Sequence, residues 1–380
     1  MEKWKTHLQK CSLFLGGLIV TLALFLPNTV GADDYFVSPN GQDTNAGTET
    51  QPFQTVNKGV GVLNPGDTLS IKSGTYQEWV DWDADLRAGT SWSKPITVKA
   101  FPGDTVTLLP NTGSQFVLRF IETEYIVIDG LILDGTNITN EAVKITWGTG
   151  HPAAHHIKIQ NSEIRNAPKQ GIVTSVGSDF NQFINLDVHH NGIEDNLTAG
   201  FSIKTSGNLI ENCQIYDNSG GAIHVNGGAE GPRTKGNIFR GNRIRNNGRE
   251  GITINRSDDN LIYNNMVWNN ENGIVVGPIG NPKGTKVYNN TVYANQKYGI
   301  GVFAGAIDTE VLNNISHDIS TNIFACRIMP LGDSITYDNN VCDAFAICPP
   351  DVSPRSPGQR TGYRKPLFWS YWRQPDSHTM

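Results

Sequence analysis

The chain has 380 residues, a formal charge of −6, 17% charged residues and 40 glycines. So few charges exclude a disordered polyelectrolyte and argue against a long helical protein, and the acidic balance argues against global attraction to nucleic acid. Abundant Gly and Asn point instead to an all-β architecture with many turns, because both residues supply the φ > 0 conformations that turns need.

The first residues have the layout of a signal peptide. Lys3, Lys5 and Lys10 form a basic start, Cys11 to Leu26 an apolar run, and Val30-Gly31-Ala32 a small-residue cleavage site. The run is shorter than the roughly 20 residues of a spanning helix. Residues 1–32 are therefore expected to be removed, leaving a secreted, soluble chain, extracellular or periplasmic, with no membrane span. Removal of Lys3, Lys5, Lys10 and Glu2 takes the formal charge to −8. Cys11 leaves with the signal, Cys213 stands alone as a core candidate, and Cys326, Cys342 and Cys348 leave room for one disulfide whose pairing stays open.

The mature chain opens with a strand, Asp34-Tyr-Phe-Val37, and a polar, Gly-rich loop from Ser38 to Pro52. Phe53, Val56, Val60 and Leu63 fall on one helical face, and Pro65-Gly66-Asp67 should end that helix. A short amphipathic helix suits the open end of a solenoid, which needs a cover. Thr68 to Ile71 and Ile96 to Ala100 read as strands, and Trp79 to Ser93 as a long loop.

An internal repeat then decides the fold class. Five segments begin at Asn208, Asn237, Asn260, Thr285 and Thr309, each running two apolar positions around an Asn, as in Asn208-Leu-Ile-Glu-Asn212-Cys-Gln-Ile215. Weaker copies start at Ile126, Ile157 and Asn181. The starts lie roughly 23 to 31 residues apart, the length of one solenoid coil. Two Asn columns are expected to stack coil on coil. One is Asn161, Asn185, Asn212, Asn264, Asn289 and Asn313; the other is Asn191, Asn218, Asn247, Asn270 and Asn295. A stacked Asn satisfies backbone groups at a bend and tolerates left-handed backbone there. A second short strand follows a small residue in each coil, for example Ala222-Ile-His-Val225 and Gly251-Ile-Thr-Ile254. Alternation turns Ser202, His224 and Thr253 outward, into one column at a coil spacing of about 4.8 Å. The expected fold is an all-β right-handed parallel β-helix, a single-stranded solenoid over 33–345. Residues 33–110 form the N-terminal cap and first coils, and 346–380 a Pro- and Arg-containing tail, open to being a truncated remnant.

Tyr35-Phe-Val-Ser-Pro-Asn-Gly, Pro52-Phe-Gln-Thr-Val, Pro65-Gly-Asp-Thr, Ser73-Gly-Thr-Tyr76 and Pro95-Ile-Thr-Val-Lys-Ala-Phe-Pro-Gly103 resemble the opening of secreted right-handed β-helix proteins of the polysaccharide lyase type, pectate and alginate lyases among them. The likeness covers about residues 34 to 320.

Chemistry is expected on the outward faces, because the interior is filled. Ser202-Ile-Lys204-Thr-Ser resembles the segment that carries the base lysine in the alginate lyase and chondroitinase B family. The resemblance implies that Lys204 takes the C5 proton of a uronate while a calcium ion neutralises the carboxylate. The chain departs from that pattern at Ala199-Gly200 and Ser202, where the family has acidic ligands; Glu194, Asp195 and Asn196 remain as oxygen donors for calcium. A basic stripe runs through Arg233, Lys235, Arg240, Arg243, Arg245, Arg249 and Arg256, and its guanidinium forks suit the carboxylates or sulfates of an anionic polysaccharide. Lys204, Arg240, Arg243 and His224 are thus the catalytic candidates. An outward column at the eighth position of each repeat holds Tyr216, Arg245, Trp268 and Tyr293, where sugar rings could stack. With Asn226 and Asn255 these are the substrate-binding candidates.

Near the end, Arg327-Ile-Met-Pro-Leu-Gly-Asp-Ser334-Ile-Thr resembles the first block of SGNH (GDSL-type) hydrolases, whose Ser is the nucleophile. The later blocks are missing, and Ile335-Thr-Tyr-Asp-Asn339-Asn340-Val-Cys342 also fits a last coil. The sequence therefore predicts a secreted lyase cleaving a uronate polysaccharide by β-elimination. The alternatives are a glycan-binding or cell-surface β-helix without catalysis, and a fragment of a β-helix/esterase fusion.

Overall fold

A computed structural model describes residues 31–317 and 334–342, apart from 84–85, 151, 194–197, 228–232 and 278. Three parallel sheets of 12, 11 and 9 strands wind into one solenoid, each strand pairing with its counterpart in the coils before and after. The coil that starts at Asn260 shows how the sequence builds it. Leu261–Tyr263 belongs to the first sheet, Met266–Trp268 to the second and Asn272–Val276 to the third. Asn264 (φ 56°), Asn269 (φ 54°) and Gly284 (φ 69°) turn the chain left-handed at the corners. Strands this short still hold, because Ile262, Val267, Ile274 and Val276 all point inward and are fully buried. Each such side chain stabilises by about 1.5–3 kcal/mol, and the next coil repeats the pattern.

Asparagine ladders line all three corners. At the first corner they run Asn242, Asn265, Asn290, Asn314 and Asn340. At the second they run Asn191, Asn218, Asn247, Asn270 and Asn295. At the third they run Asn181, Asn208, Asn237 and Asn260. The second matches the expected column. Of the expected first column, Asn185 Nδ2 donates to Asn161 Oδ1 at 2.8 Å, whereas Asn212, Asn264, Asn289 and Asn313 are exposed left-handed turn residues and the buried rung is the residue that follows. Asn265 Oδ1 illustrates a rung, accepting from the backbone N–H of Asn242 at 3.0 Å and from its Nδ2 at 2.9 Å.

At the N-terminal end, Phe53, Val56, Val60 and Leu63 are buried as the helical face requires. The helix itself is only Val56–Val60, and it stops at Gly61 rather than at Pro65. Thr55 Oγ1 caps it by accepting from Lys58 N–H at 3.1 Å, and the Glu78 carboxylate accepts from the N–H groups of Val56 and Asn57. Gly59 lets it approach closely, since a Cβ there would lie 2.6 Å from Leu69.

At the far end, Thr336–Asp338 and Val341–Cys342 add to the first and second sheets. Ser334 (φ 59°) occupies the left-handed corner position that Asp308 (φ 49°) occupies one coil earlier, so Ser334 leads into a coil strand, and residues 327–333 of the hydrolase-like block lie outside the described residues. Residues 1–30, the tail 346–380, Cys326 and Cys348 lie outside the described residues. Among the described residues no helix is long and apolar enough to cross a membrane.

Candidate functional site

The outward side of the third sheet carries one continuous column: Asp81, Arg119, Lys144, Val173, Ser202, His224, Thr253, Val275 and Gly301. Beside it stand Asn226 and Asn255, paired in register, and Lys204, which follows Ile203, the partner of Val225. The turn that launches Lys204 is pinned. Thr174 Oγ1 accepts from Lys204 N–H at 3.2 Å and lies 2.8 Å from Thr205 Oγ1. Three other cations near this face are paired. Arg119 forks onto Asp81, Lys144 meets Glu141 at 3.2 Å, and Arg249 lies 3.7 Å from Glu250. Lys204 is exposed, and its ammonium meets none of the described carboxylates.

His224 sits at the centre of the face. Burial holds its imidazole below the usual histidine range; the Glu250 charge opposes that, and Arg249 and Lys204 reinforce it. Nε2 of His224 lies 3.3 Å from Asn255 Nδ2, and Asn255 Oδ1 accepts from Ile279 N–H. Asn226 Oδ1, Thr253 Oγ1 and Asn272 Oδ1 are buried without a hydrogen-bond partner among the described residues. The face therefore offers one exposed amine beside a neutral imidazole. Asn272 was not singled out by the repeat; its register opposite Glu250 was the available signal.

The structure brings together Lys204, His224, Asn226 and Asn255, and it does not bring Arg240 or Arg243 to them. Arg240 lies on the first sheet, bonded to Glu211 at 2.8 Å and to the Tyr263 hydroxyl at 3.0 Å. Arg243 and Arg245 lie on the second sheet. Arg233 is held by Asp258. The basic stripe is one coil's worth of residues, so it winds around three faces instead of facing one ligand. The aromatic column lies on the second sheet, away from Lys204. On the second sheet, His189 stacks on Tyr216 at 4.8 Å, the Arg245 guanidinium lies 4.1 Å from the Tyr216 ring centre, and Trp268 and Tyr293 stack at 5.6 Å and 5°. Both ring faces of Tyr216 are covered by protein, leaving edges outward, whereas a sugar platform needs an open face.

Calcium takes six to eight oxygen ligands. Near Lys204 the described positions offer Ala199, Gly200 and Ser202 with no carboxylate, and Glu250 is engaged by Arg249 and Asn272. These residues do not form a calcium cage, and Glu194, Asp195 and Asn196 lie outside the described residues. Among those described, the group suited to a metal is elsewhere: Glu124, His155 and His156.

The match to known proteins agrees with this architecture. Uncharacterized protein YwoF of Bacillus subtilis is 27% identical over 177 residues, 43% of this chain and 36% of that protein. Pectate lyase PEL9 of Emericella nidulans is 26% identical over 251 residues, 63% of this chain and 53% of that enzyme. The chain thus spans about a third to a half of the length of these relatives. The crystal structure of pectate lyase Pel9A superposes with a TM-score of 0.61 at 17% identity, covering 83% of this chain and 79% of that one. The family described as Pel9A-like, right-handed β-helix region, matches residues 35–340, and the chain belongs to that family of polysaccharide lyase-type β-helices.

Proposed function

We propose that this chain is an exported, carbohydrate-active enzyme that cleaves a uronate-containing polysaccharide by β-elimination, with Lys204 as the base. One observation carries the reading: Arg119, Lys144 and Arg249 are ion-paired, whereas the exposed Lys204 ammonium meets none of the described carboxylates. Family membership and the pectate lyase relatives support the substrate class.

In the reaction, the unprotonated Lys204 amine takes the proton from C5 of the uronate. The electron pair forms the C4–C5 double bond and the C4–O glycosidic bond breaks. The leaving oxygen takes up a proton, and the new chain end is an unsaturated uronate. Asn226, Asn255 and neutral His224 line the adjacent subsite, on the same face as Lys204. A calcium ion, when bound, would offset the uronate carboxylate charge; Glu194, Asp195 and Asn196 are the residues proposed to meet it.

An ultraviolet assay on the purified chain tests this. Alginate, pectate and glycosaminoglycans are offered, first with calcium and then with chelator. Rising absorbance from unsaturated uronate on one polymer is the expected result. A flat trace across the panel, with retained polysaccharide affinity, would replace the lyase by a glycan-binding protein.

A further inference from the structure

We infer that Glu124, His155 and His156 form a binding site for a divalent transition-metal ion, of which zinc is the test case, clamped across two adjacent coils. Glu124 and His155 are register partners on neighbouring strands of the first sheet. Consecutive residues of a strand normally point to opposite sides. His156 has φ 54°, so its ring swings to the same side as that of His155. Nδ1 of His155 lies 2.7 Å from Nδ1 of His156 and 3.5 Å from Glu124 Oε2. Ligand atoms of all three residues fall within 4.8 Å of one another. Those spacings bracket the edge of about 3.3 Å that follows from metal–ligand bonds of about 2.0–2.1 Å in a tetrahedral site.

The surroundings hold the donors in place. The His156 ring is layered between Tyr125 at 4.8 Å and Phe180 at 5.2 Å, and Trp92 stands edge-on to Tyr125. The nearby Lys158 ammonium is occupied 4.5 Å above the Trp92 ring.

A second pair provides an internal contrast. His189 and His190 also approach at 2.7 Å through Nδ1. There Glu163 meets His189 at Nε2 instead, on the far side of the ring, and Arg165 neutralises it. Two imidazoles and a carboxylate select nitrogen-loving transition metals over calcium or magnesium. The site is distinct from the Lys204 face and does not depend on the lyase reading.

Titration calorimetry of the chelator-stripped chain with zinc chloride, and in parallel with calcium chloride, tests the proposal. Zinc should bind saturably at one equivalent and calcium should not compete. Glu124→Gln, His155→Ala and His156→Phe should each weaken zinc binding by roughly tenfold or more, while His190→Phe should leave it unchanged. The His156→Phe variant keeps an aromatic ring in the stack, and circular dichroism checks each fold. Zinc binding that persists in all three variants, that is lost equally with His190→Phe, or that is absent from the wild-type chain overturns the proposal.

Discussion

Asn255 on one coil directs its amide nitrogen to within 3.3 Å of Nε2 of His224 on the preceding coil. An amide nitrogen can only donate, so Nε2 must accept and the imidazole carries its proton on Nδ1. The contact therefore favours the neutral ring, in the same direction as its burial.

A pH dependence follows from this. The folded His224 pKa is depressed, so between the folded and unfolded values the unfolded chain binds more protons. The stability contribution is fully present above the unfolded value of about 6.5, falls as pH drops from there toward the folded value, and is constant below it. NMR titration of the His224 ring should give a midpoint below that of an unfolded peptide, and Asn255→Asp should raise it. A midpoint at or above the peptide value contradicts the assignment.

The corner geometry separates two adjacent asparagines. Asn265 is buried and bonds to Asn290 Oδ1 and the Phe239 carbonyl, while its own Oδ1 serves Asn242. Asn265→Ala should cost roughly 3 kcal/mol in denaturant unfolding, because several buried groups lose partners. Asn264 is exposed at φ 56°. Asn264→Gly should stay within about 0.5 kcal/mol, since Gly accepts that conformation. Equal costs for the two would contradict the ladder assignment.

The fold was legible because the repeat places Ile, Val and Asn at fixed spacing, and the interior needs that spacing. The rung was misread by one residue because Asn264-Asn265, Asn289-Asn290 and Asn313-Asn314 are doublets, and Asn suits both a left-handed turn and a buried ladder. Gly241-Asn242 held the answer: Gly241 (φ 68°) takes the turn position, so the second residue must be the rung. The site was legible only in part. Lys204 and His224 share a face because both follow from one strand register. The arginines scattered because proximity in sequence, within a coil, means different sides of a triangle. Glu124, His155 and His156 were invisible because nothing local announces that His156 would flip to φ 54°.

On the second sheet the side chains of successive coils stack on one another. Arg245 lies against Tyr216 at 4.1 Å and spans toward Trp268. Arg245→Ala should lower stability by about 1 kcal/mol in thermal melts. Trp268→Ala should also lower stability and leave polysaccharide affinity unchanged. Weakened polysaccharide binding by a Trp268→Ala chain that remains folded would return this face to the substrate path.

Cys213 is fully buried, and its thiol is pushed up to about 12, chiefly by that burial. A thiol reagent should leave it unmodified at pH 8 in the native chain and modify it on unfolding. Fast modification of the native chain, followed by mass mapping to Cys213, would contradict its place in the interior.

The most direct test of the central claim compares wild type and Lys204→Ala in the unsaturated-uronate assay, on whichever polymer of the panel is turned over. The account predicts that Lys204→Ala folds with an unchanged melting curve, still binds the polymer, and loses turnover by about two orders of magnitude or more, as expected for removal of a general base. Full retention of the absorbance signal by Lys204→Ala would contradict the account and move the base elsewhere on the solenoid.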